Sequence, residues 1–313
     1  SCKCHCLSIL ATKSELIHAL MNTQVELKKH HQLITKIRQF FDEQDLIEVQ
    51  TPQLLDCPTS DVYIDSIKAQ LNTDIAPELK YLHTSPELEM KKLLAQGSGD
   101  IYQICQVFRD NEQGAQNFNE FTMLEYYRLG FDSHALMDDI TNLLKSLGFT
   151  QSAVHFSYAQ AFSEFADIDI LNTEFDALKK IAKSHDLCID FEWIEDLQIL
   201  LFTALCEPKL KAFPLCFIYD YPKNQSALAK VEGQVARRFE VYLSGVEVAN
   251  GYEELQNAHD YQACFEREIS KRLVLGKALV ELDKDFLSSL QTPLPQCSGV
   301  AIGLERLASN LLK

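Results

Sequence analysis

Residues 101–128 of this chain read IYQICQVFRDNEQGAQNFNEFTMLEYYR. Two stretches rich in β-branched and aromatic residues, 101–109 and 120–128, enclose a polar segment of ten residues. This pattern predicts two strands joined by a loop. The loop is longer than the about two to five residues of an ordinary hairpin. Long loops between paired strands are often functional. We therefore expect functional residues in or beside this loop.

Further elements of both kinds are predicted on either side of this strand pair. Helices are predicted over 16–41, 85–97, 133–147, 175–185, 194–206, 261–275 and 303–313, and strands over 47–49, 215–219, 238–243 and 246–249. Adjacent strands are joined by loops rather than by crossover helices, which favours an α+β fold with an antiparallel sheet flanked by helices. No glycine-rich dinucleotide motif follows a strand, which disfavours a Rossmann fold.

The composition excludes several classes of protein. The 313 residues carry 29 Lys and Arg against 45 Asp and Glu, and the net charge of −16 opposes loose binding to nucleic acid. The longest strongly apolar run, 199–206, has eight residues, against about 20 needed to span a bilayer. No signal peptide is visible. We therefore expect a cytoplasmic protein of one large or two small domains.

The ten cysteines are consistent with that compartment. Seven stand singly, mostly in apolar stretches, and are predicted to be reduced thiols: Cys57, Cys105, Cys188, Cys206, Cys216, Cys264 and Cys297. Cys2, Cys4 and Cys6 cluster with His5, but their spacing matches no zinc motif. A frayed N-terminus explains this cluster better than a metal site does.

Glu125 is the first candidate binding residue. In a strand over 120–128 it shares a mostly apolar face with Phe121, Met123 and Tyr127. A carboxylate buried there must be paired or neutralised. The sequence leaves two interpretations open: a structural ion pair or exposed sheet face, and a pocket for a cationic ligand.

A second acidic pair lies near the C-terminal part of the chain. Glu247 falls in a predicted strand, Glu254 follows it, and Asn250-Gly251 between them is a turn signal that would fold the chain back. Two carboxylates brought together in this way would share Mg²⁺ with nucleotide phosphates. Arg109 and Arg306 would supply positive charge and a stacking surface for a nucleotide. Each of these residues is also compatible with an exposed surface position.

Taken together, these segments resemble the class II aminoacyl-tRNA synthetases in their lysine-type form. Residues 108–109 with 120–128 resemble motif 2, 299–307 resemble motif 3, and the helix to Phe41 with 46–52 resembles motif 1, the dimer interface of that class. Thr84-Ser85-Pro86-Glu87 and Glu247-Val248-Ala249-Asn250-Gly251 complete the lysine-type set. The likeness runs from about residue 30 to the end. It implies a homodimer, with an N-terminal extension over 1–25, partly disordered, and a catalytic domain over 26–313.

Two features favour the tRNA-independent family of elongation factor P (R)-β-lysine ligases within that class. Only about thirty residues precede motif 1, whereas lysyl-tRNA synthetases carry an anticodon-binding barrel there. Ser85 and Ala301 also match this family. The methyl group of Ala301 replaces a glycine hydrogen, which suits a β-amino rather than an α-amino acid, a change that discriminates by about 1–3 kcal/mol. No tRNA partner is expected.

The resemblance implies roles for individual residues. Arg109 would hold the α-phosphate of ATP, Phe121 and Arg306 would sandwich the adenine, and Gly303 would let it approach the backbone. The complete implied ATP site is Arg109, Asp110, Asn111, Glu112, Phe118, Phe121, Glu247, Val248, Asn250, Gly303 and Arg306. The implied amino-acid site is Ser85, Pro86, Glu87, Glu125, Tyr127, Glu254 and Ala301. Glu247 and Glu254 would hold Mg²⁺.

The implied reaction joins the carboxylate of (R)-β-lysine to AMP and then to a lysine of elongation factor P. The motif 2 loop departs from the family pattern at Asn111, Asn117, Phe118 and Asn119, and Glu112 could replace the acid missing at 111. Two alternatives stay open: a lysine-type adenylating enzyme that uses α-lysine, and a non-catalytic synthetase paralog acting as a regulatory subunit.

Overall fold

The computed structural model describes residues 24–112 and 118–311, except the side chains of residues 24–26. The strands are β1 (Ile47–Glu48), β2 (Leu54–Leu55), β3 (Lys68–Leu71), β4 (Glu78–Leu82), β5 (Ile101–Phe108), β6 (Glu120–Leu129), β7 (Ala153–Ser157), β8 (Leu215–Pro222), β9 (Val231–Glu232), β10 (Val235–Leu243), β11 (Val246–Glu253) and β12 (Cys297–Gly303). The helices are α1 (Gln24–Asp42), α2 (Glu87–Ala95), α3 (Ser133–Ser146), α4 (Tyr158–Ala166), α5 (Phe175–Ser184), α6 (Ile194–Leu201), α7 (Glu207–Leu210), α8 (Ala258–Val274), α9 (Lys284–Ser289) and α10 (Leu304–Leu311).

A large sheet organises the described part of the chain. Its strand order is β1-β5-β6-β12-β11-β10-β8-β7, with β9 paired to β10. All of these pairs are antiparallel except β1 with β5 and β7 with β8, at the two edges. A small antiparallel sheet, β2-β4-β3, lies outside it. The predicted antiparallel α+β fold is therefore confirmed, with the parallel edge pairs as an unexpected addition.

The main hydrophobic core covers one face of the large sheet. Phe41 of α1 stacks on Tyr102 of β5 with ring centroids 4.6 Å apart, and Tyr126 of β6 lies 4.8 Å from Phe41. Leu124 of β6 is buried in the same cluster. Successive side chains of a strand alternate between faces, so Glu125 points to the opposite face, as predicted.

The predicted turn at Asn250-Gly251 is wrong. Both residues lie inside β11, where Gly251 pairs with Phe239 of β10 and Asn250 with Glu240. A Cβ on Gly251 would come within 2.3 Å of the Phe239 ring. Glycine is needed at 251 because an aromatic ring from the neighbouring strand covers its backbone, and not because the chain reverses direction.

Other predicted elements are confirmed with shifted ends. The helix predicted from Ser85 begins two residues later at Glu87, and Ser85 Oγ still accepts a hydrogen bond of 3.0 Å from the Glu87 N–H. Residues 194–206 form α6 followed by a π-helical turn. β12 and β7 were not predicted, because neither the mostly buried β12 nor the half-buried β7 has a clear alternation of apolar and polar residues.

The seven singly spaced cysteines are free thiols, in agreement with the sequence, and five of them are buried. The cluster of Cys2, Cys4, His5 and Cys6 lies outside the described residues. Within 24–112 and 118–311, no helix is both long and apolar enough to cross a membrane.

Candidate active site

A cleft of about 540 Å³ lies on the sheet face opposite the main core. Its floor is formed by β6, β12 and β11, and α2, α8 and the loop before β3 contribute to its walls. Most of the residues predicted for ATP and amino-acid binding line it: Ser85, Glu87, Arg109, Glu112, Phe118, Phe121, Glu125, Tyr127, Glu247, Val248, Asn250, Glu254, Ala301, Gly303 and Arg306. Pro86, Asp110 and Asn111 are not among the lining residues.

Glu125 lies on the cleft floor and is only 3% exposed. Ser85 Oγ donates a hydrogen bond of 2.6 Å to Glu125 Oε2, and Tyr127 Oη donates one of 2.6 Å to Oε1. Burial and, secondarily, the charge of Glu87 raise the pKa of Glu125 to about 7. The exposed-face interpretation of Glu125 is therefore wrong. Both hydrogen-bond donors are neutral hydroxyls, which leaves the carboxylate suited to a cationic ligand.

A buried ion triad forms the adjoining wall. The Nζ of Lys91 lies 2.6 Å from Glu87 Oε1 and 2.6 Å from Glu254 Oε2. Burial by itself lowers the pKa of Lys91, but the charges of Glu254 and Glu87 outweigh that effect and hold its pKa well above the usual value. Burial also raises the pKa of Glu254 to about 8. The sequence analysis missed Lys91, although its spacing of four residues from Glu87 on α2 is that of a helical ion pair.

One row of paired residues crosses the floor of the cleft. Glu125 of β6 is aligned with Ala301 of β12, Ala301 with Asn250 of β11, and Asn250 with Glu240 of β10. Directly paired residues present their side chains to the same face of a sheet. The small side chain of Ala301 therefore lies between Glu125 and the polar groups of β11 and β10.

Aromatic and guanidinium groups gather at the other end of the cleft. The guanidinium carbon of Arg109 lies 5.2 Å from the centre of the Phe121 ring, and its Nε donates a hydrogen bond of 3.3 Å to Thr84 O. Arg306 Nη1 donates one of 3.2 Å to Glu247 O. Among the described residues, apart from the neighbours of Gly303 in the chain, no atom lies within 4 Å of the position that a Cβ on Gly303 would occupy. This open end carries two guanidinium groups and an aromatic ring, which suit a planar base and phosphates.

The expectation that Glu247 and Glu254 share one Mg²⁺ ion is wrong. The extended β11 separates their Cα atoms by about 20 Å at roughly 3.3 Å per residue, whereas Mg²⁺ holds its oxygen ligands at about 2.1 Å. Glu254 instead pairs with Lys91. The expectation failed because it depended on a turn at 250–251 that the chain does not make.

The carboxylate that accompanies Glu247 is Glu240, across the β10–β11 hairpin. The register shifts between Val241 and Tyr242, and this bulge allows Glu247 to face the cleft together with Asn250. Burial and then the charge of Glu240 raise the pKa of Glu247 to about 7. Glu240 is held by Arg238 Nη2 at 2.5 Å and by the Tyr242 hydroxyl at 2.6 Å. The available sequence signal was two glutamates seven residues apart, on the neighbouring strands predicted over 238–243 and 246–249.

Two carboxylates are a donor set that suits Mg²⁺. Hard divalent cations of this size bind one or two carboxylates and complete their shell with water and substrate phosphates. Within residues 24–112 and 118–311, no group of three or more His, Cys, Asp or Glu side chains is arranged around a metal position. Of the two, Glu247 is among the residues that line the cleft, so an ion that arrives with a nucleotide would meet Glu247 first.

The start of the motif 2 loop is anchored on the small-sheet side of the cleft. The Asp110 N–H donates a hydrogen bond of 2.8 Å to Asp65 O, and Asn111 adopts a left-handed backbone conformation with φ of 57°. Asn119 Nδ2 donates a hydrogen bond of 2.7 Å to Arg109 O, which joins the two ends of the loop. Of the four departures from the family pattern, Asn117 lies outside the described residues.

Comparisons with known proteins agree with this geometry. The profile of the class II tRNA synthetases (D, K and N) matches residues 13–313. Proteins named elongation factor P–(R)-β-lysine ligase are similar over 90% of this chain: that of Vibrio cholerae is 40% identical with 90% of its own length covered, and that of Photorhabdus laumondii is 39% identical with 89% covered. The ligase of Mannheimia succiniciproducens is 37% identical over 88% of this chain and 87% of its own length. The chain therefore belongs to the class II tRNA synthetase family, and within it to the family of the elongation factor P–(R)-β-lysine ligases.

Proposed function

We propose that the protein is an ATP-dependent ligase that activates (R)-β-lysine as an acyl-adenylate and transfers it to a lysine side chain of elongation factor P. The observation that carries this proposal is the setting of Glu125, a buried carboxylate with two hydroxyl donors at one end of a cleft whose other end carries Arg109 and Arg306. The names of the relatives agree with it.

The amino acid would bind with its two ammonium groups among Glu87, Glu125 and Glu254, helped by Tyr127 and Ser85. Burial strengthens the attraction between a carboxylate and an ammonium group because little water screens it. Ala301 places a methyl group beside Glu125 where a glycine would have only a hydrogen atom. This methyl group would displace the nearer amino group of the substrate, which supports a β-amino acid over an α-amino acid. Pro86 contributes by starting α2, which carries Glu87.

ATP would bind with its adenine between Phe121 and Arg306, with Gly303 below it and Arg109 on the α-phosphate. Phe118, Glu112, Val248 and Asn250 line the same region, and Asp110 and Asn111 set the path of the loop above. Glu240 and Glu247 would hold Mg²⁺, which when bound neutralises phosphate charge. Glu254 is left out of this metal site because it lies at the far end of β11.

The first step needs no general base. The carboxylate oxygen of the amino acid attacks the α-phosphorus, the bond to the β-phosphate breaks, and pyrophosphate leaves with the bonding electrons. Arg109 balances negative charge at the reacting phosphate, and the cleft holds both reactants in line. In the second step the neutral amine of the acceptor lysine attacks the carbonyl carbon, AMP leaves, and the amine loses one proton.

The remaining parts of the proposal concern assembly and location. We propose a homodimer built on the motif 1 segment, where Ile47 of β1 is 56% exposed and Leu54 of β2 is 39% exposed although both are apolar. We propose that tRNA is not a substrate, that residues 26–313 form the catalytic domain, and that the protein works in the cytoplasm, where its free thiols stay reduced.

Pyrophosphate exchange tests the first step. With ATP and Mg²⁺ present, we expect exchange that depends on (R)-β-lysine and is much weaker with α-lysine. A strong preference for α-lysine would favour the α-lysine enzyme instead. Absence of exchange with any amino acid, despite measurable ATP binding, would favour a non-catalytic paralog. The mass of elongation factor P after incubation with ATP and β-lysine tests the second step, with an expected gain of one β-lysyl group.

A further inference from the structure

We call the part of the cleft around Glu87, Glu125 and Glu254 the amine end. A buried lysine, Lys91, lies there and has no role in the reaction described above. Lys91 is 0% exposed, and its Nζ contacts one oxygen of Glu87 and one of Glu254 at 2.6 Å each. The same ammonium group lies 5.1 Å from the centre of the Tyr261 ring, which closes the site on the α8 side. A substrate therefore meets carboxylates that an internal ammonium group already engages.

The two partners of Lys91 come from different parts of the fold. Glu87 begins α2, whereas Glu254 follows β11 and is anchored by a hydrogen bond of 3.0 Å from its N–H to Cys297 O. Removing one member of a buried ion pair leaves an uncompensated charge, which strongly destabilises the pair's surroundings. Lys91 thus joins two walls of the cleft and fixes the separation of the carboxylates that they carry.

The formal charges of this group have a definite sum. When all four side chains are ionised, which a bound dication favours, Glu87, Glu125 and Glu254 contribute three negative charges and Lys91 one positive charge, and these side chains act electrostatically on one another. The sum is −2, which equals in magnitude the charge of two ammonium groups. Without Lys91 the sum would be −3, and a guest with two ammonium groups would leave one buried carboxylate unbalanced.

We propose that Lys91 is a positioning residue that matches the charge of the cleft to a guest with two ammonium groups and holds Glu87 and Glu254 in place to receive it. This inference rests on the proposed function, since it concerns the amino acid that the ligase activates. Lys91 does not contact the reacting carboxylate or the nucleotide in this scheme.

The test compares three variants in amino-acid-dependent pyrophosphate exchange. Lys91→Met keeps the length of the side chain and removes its charge. Lys91→Met with Glu254→Gln removes one charge of each sign and returns the sum to −2. Lys92→Met is the matched control, because Lys92 is next in the helix and pairs with Glu89 at 2.6 Å in the same manner but is partly exposed.

We expect Lys91→Met to raise the KM for β-lysine by at least about ten-fold while the KM for ATP changes by less than about two-fold. The KM of the double variant for β-lysine should be at least about three-fold lower than that of Lys91→Met. Its melting temperature should be higher than that of Lys91→Met. Lys92→Met should resemble the wild type. If Lys91→Met does not fold, the double variant compared with Glu254→Gln alone carries the test: adding Lys91→Met to Glu254→Gln should then lower the KM.

Other outcomes would overturn the proposal. Equal rises in the two KM values after Lys91→Met, or a double variant no better than either single variant, would show that Lys91 only supports the fold. A wild-type protein that shows no exchange with any diamino acid would refute the proposed function itself, an outcome distinct from either result with the variants.

Discussion

The ring of Tyr127 occupies the space in which a side chain on Gly299 would stand. A Cβ built on Gly299 would lie 2.3 Å from Tyr127 Cε1 and 2.8 Å from Glu254 Oε1. Glycine at this position of β12 lets the tyrosine ring lie flat enough for its hydroxyl to reach Glu125 at 2.6 Å. The geometry around Glu125 therefore depends on a residue that has no side chain.

Gly299→Ala is predicted to impair amino-acid binding selectively. The added methyl group must displace Tyr127 or Glu254, and overpacking of this kind costs about 1–3 kcal/mol. We expect the KM for β-lysine to rise about ten-fold or more and the KM for ATP to change little, as measured by pyrophosphate exchange. Gly303→Ala is the matched control, since a Cβ there has open space around it in the part of the chain that the structure describes. This variant should weaken ATP instead. Equal effects of both variants on the two substrates would contradict the division of the cleft.

Glu125→Gln should abolish discrimination in favour of the cationic amino acid. The amide keeps the shape of the side chain but carries no charge to attract an ammonium group, a loss of about 1.5–3 kcal/mol for a charged hydrogen bond. The affinity for β-lysine, measured by calorimetry, should fall about ten-fold or more. The affinity for ATP, measured in the same way, should change little. Parallel loss of both would mean that Glu125 has a structural role.

Arg306→Ala should weaken the binding of ATP. The guanidinium group lies at the nucleotide end, held by Glu247 O at 3.2 Å, and its side chain is 36% exposed to the cleft. Loss of a cation–π contact and a charge costs about 1–2 kcal/mol, so the Kd for ATP should rise roughly ten-fold. The control is the same substitution at Arg267, which lies on the surface of α8 and should leave the Kd for ATP unchanged. Arg128 is unsuitable as a control because it is buried. An unchanged Kd for ATP after Arg306→Ala would remove Arg306 from the site.

The requirement for Mg²⁺ should depend on Glu240 and Glu247 and not on Glu254. Glu240→Gln and Glu247→Gln each remove one oxygen donor of the proposed metal pair, so the Mg²⁺ concentration for half-maximal exchange should rise about ten-fold. Glu254→Gln should leave that concentration unchanged and raise the KM for β-lysine. A Mg²⁺ requirement that shifts with Glu254→Gln would restore the metal role that the sequence suggested for that residue.

The stability of the protein without amino acid should decrease as pH rises through neutrality. Burial raises the pKa of Glu125 from 4.5 to about 7, so the native state binds more protons than the unfolded chain between these values. The stabilisation from the protonated carboxyl group is complete below the unfolded pKa and is lost as pH rises through about 7, at no more than about 1.4 kcal/mol per pH unit. Urea midpoints from pH of about 5 to about 8 should fall more steeply for the wild type than for Glu125→Gln. Parallel curves would show that Glu125 ionises normally.

Alternation along the strands allowed much of the site to be predicted from the sequence. The pattern of 120–128 placed Glu125, Met123 and Tyr127 on one face, and β6 has that arrangement. The local signals for α2, the 244–245 hairpin and the C-terminal helix are also found near their predicted positions. These features depend on neighbours within a few positions of the chain, so the sequence contains what is needed to predict them.

Contacts between distant segments decided the rest. Asn250-Gly251 has the composition of a turn, but the ring of Phe239 covers Gly251 and keeps β11 extended, which separates Glu247 from Glu254 and leaves Glu240 beside Glu247. Lys91 is inconspicuous in the sequence, and only the approach of α2 to the end of β11 brings Glu254 to its ammonium group. The sequence by itself determined which face of β6 carries Glu125, because side chains alternate along a strand. The tertiary structure decided which carboxylates act together, because charge interactions depend on distances in space between residues that lie far apart along the chain.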